Sequence, residues 1–435
     1  MNSDAPSRRT RWGGWLPLWV FITIYGIVMC VVLTVRVEST SDFRDFWENA
    51  QALRAHGEIR SDLGVHNYLP FFTIFMGPFA WLPLRAAAVV FTLLSFGLLA
   101  LTILMTESLL HDGWGPKPRK ATLITLALML AYIHSCGVLG QIGLFLLFLI
   151  TTAWFLVERG HEWTAGVALG LATLIKVLPA ALIVFFLLKL RWRVASSAIL
   201  TGFLLGLGLP AASLGIEKTM DAHRAFHRSA IVEHGARTTI FQDTPHKAKY
   251  SNNALPIVLR RLLSPLNGDP SDRDRERRLL VNLTDWSPQS IWYAYLILMT
   301  VFAGSSIIVC MRNTRPWPPR TPAGKLSVRA QYGVWCCLMI LAAPLVWTHY
   351  LVLTYWPLAL AVDQVAKRCE RTRRLFSFLS VVLIVWLLGA VFLAWPAARS
   401  AGAQLWSVAA LWLGMLTLAT NRLRTSNIAE STIRS

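Results

Sequence analysis

A chain of 435 residues that is 55% hydrophobic and only 15% charged, with a mean hydropathy of +0.49, excludes a soluble globular domain, which could not leave that much apolar surface in water. The formal net charge of +19 does not call for nucleic acid, because the basic residues fall in short clusters between apolar runs, the pattern that orients membrane spans. The six cysteines lie mostly in or beside those runs without ligand spacing, so they read as small core residues, with neither a disulfide framework nor a metal site.

Apolar runs able to cross a ~30 Å hydrocarbon core recur along the whole length and predict an all-α polytopic membrane protein, a single integral membrane domain over residues 1–435. The first runs from Trp15 to Val37 behind Arg8, Arg9 and Arg11; it is too long for a signal-peptide core, and VRVEST offers no cleavage site, so an uncleaved span with a cytoplasmic N-terminus is expected. An extracytoplasmic loop, residues 38–70, follows; its stretch SDFRDFWENAQALRAHG places Phe43, Phe46, Trp47, Ala50 and Leu53 on one helical face, as for a helix lying in the membrane interface. The segment NYLPFFTIFMGPFAWLPL (67–84) is short and carries three prolines, which points to a re-entrant or interfacial piece; as a thirteenth span it would break the charge pattern. Further spans are expected near 86–108, 120–135, 138–157, 163–176, 177–190, 194–214, 289–311, 329–345, 348–365, 374–396 and 402–420, making about twelve. With that count the clusters KPRK (117–120), KLRWR (189–193), MRNTRPWPPRTPAGK (311–325) and KRCERTRR (367–374), with Arg422 and Arg424, all fall on the cytoplasmic side of a plasma (inner) membrane. The large loop 215–288, with its mixed-charge run DPSDRDRERR (269–278), lies outside by the span count alone, since loops of this length escape the charge rule. No internal repeat is visible.

This topology collects several polar residues at the outer face: Asp42 and Asp45 after the first span, Gln141 in LGQIGLF, Lys176 in LIKVLP, Asn252 and Asn253 in KYSNNALPIVLRRLL, and His349 in APLVWTHYLVL. Ionisable groups at such depth are costly and mark functional sites by default. Each also has a plainer reading. Asp42 follows Ser39 and Ser41 and can simply favour a helix N-terminus; Lys176 can snorkel to headgroups; His349 can be a satisfied helix-end histidine. On the helical wheel Asp42 borders the apolar face while Asp45 and Glu48 point further toward water, which makes Asp42 the better candidate for a partly desolvated base. His223 and His227 are spaced i, i+4 with His234 nearby, but no acidic ligand pattern accompanies them, so no metal is expected.

Taken in order, these segments resemble glycosyltransferase family 87, polytopic enzymes of the GT-C fold that use polyprenyl-phosphate sugars, typically mannose. DFRDFWENAQALRAHG resembles the family's Asp-Phe segment after the first span, and NYLPFFTIFMGPFAWLPL its Tyr-x-Pro-Pro segment ending in Leu-Pro. GQIGLFLLFL followed by GVALGLATLIKVLPAALIVFFLLKLRWR resembles its Gln…Lys-x-x-Pro stretch, SNNALPIVLRRLL its Asn-Gln-Ser-Leu…Arg segment, and APLVWTHYLVL its Trp-x-His-His segment. The five segments span nearly the whole chain. There are departures: Asn253 and Ala254 stand where the family often has Gln-Ser, Leu69 where it often has a first proline, Gly143 where an asparagine is common, and Tyr350 in place of a second histidine. They bear on acceptor and phosphate contacts and leave the Asp, Lys and Trp-x-His elements in place.

The resemblance implies a GT-C-type helical bundle and an inverting transfer of a sugar, mannose for most of the family, from a polyprenyl-phosphate donor to a glycolipid or glycan acceptor on the extracytoplasmic face. A phosphate leaving group needs positive charge and hydrogen bonds more than a proton, so one carboxylate suffices, as general base on the acceptor hydroxyl. Asp42 takes that role, with Asp45 its near rival. Lys176 and His349 are placed on the phosphate, and Gln141, Asn252, Tyr68 and Trp347 around the sugar and acceptor. No cofactor beyond the donor substrate is expected, and the partners are the lipid-linked donor, the acceptor and membrane lipids. A lipid-linked-sugar transporter or flippase is the competing class; it would place its binding groups near the midplane between internal repeats. A purely structural membrane subunit, the third reading, does not account for the ordered polar set.

Overall fold

The computed structural model describes residues 13–39, 41–59, 68–111, 113–242, 248–269, 279–312, 319, 321–367 and 373–420. Arg8, Arg9, Arg11, Asn67, the charged run 270–278, the basic stretches 313–318 and 368–372, Arg422 and Arg424 lie outside the described residues. Every regular element among the described residues is helical.

The chain begins with α1 (Leu16–Arg36), whose 21 residues extend about 32 Å and so match a bilayer's apolar thickness. α2 (Asp42–His56) and the short α3 (Pro70–Phe75) follow, then a 3-10 turn Gly77–Trp81. Next come α4 (Leu84–His111), α5 (Lys120–Leu139), α6 (Gly143–Glu158), α7 (Glu162–Ile175), α8 (Ala180–Leu188) and α9 (Trp192–Phe203). A π-helical turn, Leu204–Gly208, carries α9 into α10 (Leu209–Leu214). The large loop folds as α11 (Ile216–Phe226), a π-helical piece His227–Glu233, α12 (Ala236–Phe241) and α13 (Leu255–Leu263). α14 (Pro288–Met311) and α15 (Pro322–Leu341) return to the bundle, a 3-10 helix Thr348–Thr354 leads into α16 (Tyr355–Ala366), and α17 (Arg373–Val391), the short α18 (Pro396–Ser400) and α19 (Ala403–Thr420) complete the fold.

Seven described helices are long and apolar enough to cross a membrane: Gly13–Arg36, Leu84–His111, Lys120–Leu139, Trp192–Leu214, Pro288–Met311, Arg373–Ala394 and Ala403–Thr420. The remaining predicted spans hold shorter, interrupted or more polar helices. The interruptions have local causes. Gly140 ends α5 in the left-handed region (φ 64°), the chain is extended at Lys176 before Pro179 opens α8, and Trp347 is extended ahead of the 3-10 turn. Of the segment 67–84, the described residues 68–83 form only the six-residue α3 and a 3-10 turn before Leu84 opens α4; six helical residues rise about 9 Å, far short of a crossing.

Packing runs α7 on α9 and α6, α15 on α19, α17 on α19, and α4 on both α1 and α6. At one end of the bundle lie charged anchors: Glu158 takes both Nε and Nη2 of Arg329 (2.8 and 2.6 Å), and Glu107 accepts from Thr122. The loops bearing KPRK and KLRWR belong to this same end. The breaks at Gly140, Lys176 and Trp347 all fall at the other.

Candidate functional site

Asp42 opens α2 because the residue before it caps the helix. Ser41 has extended backbone (φ −120°, ψ 130°), its Oγ accepts from Phe43 N (3.1 Å), and the same hydroxyl donates to Leu139 O (3.3 Å), tying the start of α2 to the end of α5. The apolar face expected to meet the membrane is covered by protein instead. Phe43 lies 4.9 Å from Phe91 of α4, and Phe46 meets Phe72 edge-to-face at 4.9 Å and Tyr68 at 5.2 Å. This aromatic seating fixes the roll of α2 and turns both Asp42 and Asp45 into a cavity of about 700 Å³.

Gln141 reaches Asp42 from across the bundle. Gly140 adopts φ 64°, Gln141 N returns to Cys136 O (2.9 Å), and the turn projects the Gln141 side chain so that Nε2 donates to Asp42 Oδ2. A Cβ at Gly140 would lie 2.5 Å from Phe43 Cβ, so both the backbone conformation and the closeness of α2 demand glycine here. Gly143, where the family often carries asparagine, packs against the His349 carbonyl; its Cβ would meet His349 O at 3.4 Å and Cys136 Sγ at 2.9 Å. The wall is closed so tightly there that a side chain has no room.

Lys176 sits in the break between α7 and α8 and is only 7% exposed. Its Nζ lies 3.8 Å from the centroid of Tyr350 and 4.9 Å from that of Tyr68, and donates to Tyr68 Oη at 3.4 Å. No carboxylate forms an ion pair with it among the described residues, although Asp42 is within electrostatic reach. His349 is buried (4% exposed), packs edge-on to Tyr350 at 4.8 Å and leaves Nε2 without a protein partner in the cavity wall. Beside Lys176 an apolar groove of about 240 Å³, lined by Val177, Leu178, Ala181, Ile231 and Ala343, meets the main cavity at Leu345 and Tyr350.

Burial raises the Asp42 carboxyl above the usual range, while the Gln141 hydrogen bond and the Lys176 charge pull it back down. Asp45 is raised by burial and by the neighbouring charges of Asp42 and Glu48. Asp45, expected to point further toward water than Asp42, is the less buried of the two and lines the same cavity. Asp42 differs from it in having the amide partner.

Asp42, Asp45, Tyr68, Gln141, Trp347 and His349 all line the main cavity, with Lys176 reaching it through Tyr350 and Tyr68. Asn252 does not line it. Its Oδ1 accepts from Ala254 N (3.1 Å) and Val346 N (3.2 Å), and Asn253 N donates to Val346 O (2.6 Å), so the pair fastens the large loop to the strand of chain just before Trp347. Asn252 thus holds the wall in place. The cavity also takes in Tyr350, noted in the sequence as standing in place of a second histidine, and Lys249, Ser251, Thr348 and Arg399, which the motif reading passed over. A cation in an outer turn between two apolar runs, as in WPAARSAG, was the available signal for Arg399.

The family model for glycosyltransferase family 87 matches residues 66–323. That stretch contains Tyr68, Gln141, Lys176 and Asn252 and excludes Asp42 and His349. Two curated proteins are similar over shorter stretches, both described as polyprenol-phosphate-mannose-dependent alpha-(1-2)-phosphatidylinositol mannoside mannosyltransferases. The one from Mycobacterium tuberculosis is 32% identical over 146 residues, 30% of this chain and 33% of that protein. The one from Mycolicibacterium smegmatis is 31% identical over 159 residues, 33% of this chain and 36% of that protein. The chain thus spans about a third of the length of the curated relatives it matches. No solved structure matches.

Proposed function

The chain belongs to glycosyltransferase family 87, and on that premise we propose that it is a multi-pass membrane enzyme that moves mannose from a polyprenyl-phosphate donor to a glycolipid or glycan acceptor on the extracytoplasmic face, with inversion and with Asp42 as general base. The observation that carries this reading is the meeting of Asp42, Gln141 and Lys176 where a polar cavity joins an apolar groove. A lipid-linked sugar phosphate has those two halves.

The donor's isoprenoid end lies in the groove along Val177, Leu178 and Ala181, with its phosphate against Lys176 and His349 and its sugar in the cavity. The acceptor oxygen attacks the anomeric carbon opposite the phosphate. The C1–O bond to phosphate breaks with its electron pair remaining on polyprenyl phosphate, a C1–O bond forms to the acceptor, and the acceptor's proton passes to Asp42. Lys176 serves the leaving group because a buried cation without an ion-pair partner offsets charge that develops only as the bond breaks. Gln141 offsets part of the burial that disfavours the Asp42 carboxylate and holds it in one orientation.

The extracytoplasmic placement is supported by the cavity's position at the bundle end opposite the KPRK and KLRWR loops. Against a transporter or flippase stands the gathering of the polar residues at that one end, away from a midplane interface between repeats. Purified protein incubated with radiolabelled polyprenyl-phosphate-mannose and a crude glycolipid extract tests the proposal. A new labelled product lost in Asp42→Asn supports it; donor consumed only by movement across a vesicle bilayer, with no product, favours the transporter.

A further inference from the structure

The proposed transfer needs a carboxylate and an ammonium in one poorly solvated space, where opposite charges attract strongly and tend to neutralise each other. Asp42 and Lys176 are close enough to feel one another's charge, yet they form no ion pair. An Asp42 paired with Lys176 would be a weaker base, and the lysine would have to be freed before it could meet a phosphate.

What holds Lys176 instead is aromatic. The chain is extended at Lys176 (φ −152°, ψ 133°), and its Nζ lies 3.8 Å from the ring centroid of Tyr350 and 4.9 Å from that of Tyr68. One N–H goes to Tyr68 Oη at 3.4 Å. A ring face attracts an ammonium through its quadrupole and, unlike a carboxylate, leaves the positive charge unneutralised. The attraction is largest where water is excluded, and Lys176 and Tyr350 are each only 7% exposed. Both rings are fixed in turn. Tyr68 stacks on Phe72 at 4.4 Å and meets Phe46 edge-on at 5.2 Å. Tyr350 N donates to Trp347 O (2.9 Å), its ring packs edge-on to His349, and the preceding Thr348 accepts from Arg399 Nη2 (3.3 Å). Tyr350 lines both the cavity and the apolar groove, so it stands where the two join.

We propose that Tyr350 and Tyr68 are positioning residues that cage the Lys176 ammonium as an unpaired charge at this joint and keep it from pairing with Asp42. This deepens the transferase reading and rests on it, because the caged charge is the one assigned to the donor's phosphate. The cage has a signature at Asp42. Released from the rings, Lys176 pairs with Asp42 and lowers its pKa, so activity that needs the carboxylate persists to lower pH while its rate falls. The other charged or titratable groups around that space are Asp45 of α2, Tyr68, His234 and Lys249 of the large loop, His349 and Arg399. A change confined to the ring at position 350 leaves all of them in place.

The test uses the full chain in detergent, with position 350 varied. Tyr350→Phe keeps the ring face and should stay within about twofold of the unaltered chain in kcat/KM for polyprenyl-phosphate-mannose. A trifluorinated phenylalanine at the same position keeps the shape but depletes the ring face. It should lose about tenfold or more, with acceptor KM and thermal midpoint unchanged and the acid limb moved to lower pH. In a Lys176→Ala background the identity of the ring should no longer matter. A fluorinated chain as active as Tyr350→Phe, an unmoved acid limb, or the same loss in the Lys176→Ala background overturns the cage. Calorimetric binding of citronellyl phosphate should fall in the same order. Binding that follows the ring series in a chain that transfers no sugar upholds the cage and rejects the transferase reading. Normal transfer across the whole series rejects the cage and keeps that reading.

Discussion

Gln141 Nε2 donates to Asp42 Oδ2 across 99 positions of sequence, and this bond joins the start of α2 to the end of α5 at the floor of the cavity. It distinguishes Asp42 from Asp45, whose carboxylate lines the same cavity with no amide partner among the described residues and is pushed upward by burial and then by Asp42 and Glu48.

Replacing Asp42 with asparagine keeps size and much of the hydrogen bonding, so the protein should fold and insert while turnover falls about 10²–10⁴-fold, the usual contribution of a general base. Asp45→Asn should be clearly milder. Initial-rate transfer assays on the two purified variants decide; if Asp45→Asn abolishes transfer and Asp42→Asn does not, the base is Asp45.

The Gln141 bond lowers an Asp42 pKa that burial raises, so it favours the carboxylate. Removing it in Gln141→Leu raises that pKa further. Activity that needs ionised Asp42 is present above the pKa and lost as pH falls through it, so the acid limb of the kcat/KM profile should move to higher pH in Gln141→Leu. An unmoved limb would separate Gln141 from Asp42's ionisation.

Lys176→Ala and His349→Ala should weaken use of the donor more than binding of the acceptor, since both flank the place assigned to its phosphate. Kinetics with donor and acceptor varied independently read this out. A change confined to acceptor KM removes both residues from the phosphate.

Gly140→Ala should cost at least about 1 kcal/mol through the positive φ alone, and more from the clash with Phe43 Cβ. Because the strain falls at the turn that projects Gln141, transfer should drop along with the thermal midpoint. Unfolding and activity measured side by side test the link; a destabilised but fully active variant would break it.

Orientation is open to cysteine labelling. Leu283, 79% exposed in the large loop, and Lys117, in the KPRK turn, are assigned to opposite sides of the membrane. In intact cells Leu283→Cys should react with an impermeant maleimide and Lys117→Cys should not. The reverse result would put the cavity on the cytoplasmic side.

The membrane class, the family and part of the cavity's polar lining (Asp42, Asp45, Tyr68, Gln141, Trp347 and His349) were legible in sequence because each leaves a local mark. Apolar runs are set by the bilayer's thickness, and short elements such as Ser41–Asp42 and Lys-x-x-Pro report on helix ends within a few residues. What each polar residue touches was decided only by tertiary packing. Asn252 looked like a substrate ligand, yet its oxygen is spent on Ala254 N and Val346 N, partners placed by the approach of two distant segments. The face of α2 had the pattern of an interfacial helix, and periodicity cannot tell lipid from protein as the apolar partner; Phe72, Phe79 and Phe91 supply that partner. Arg399 carried no motif because its meaning lies in Thr348, Tyr250 and Lys249, brought beside it by the turn of α18 and the folded loop. Sequence determined which stretches are apolar and long enough to leave water. The tertiary structure decided which hidden charges share a cavity, because charge pairing depends on distances between elements that no local pattern encodes.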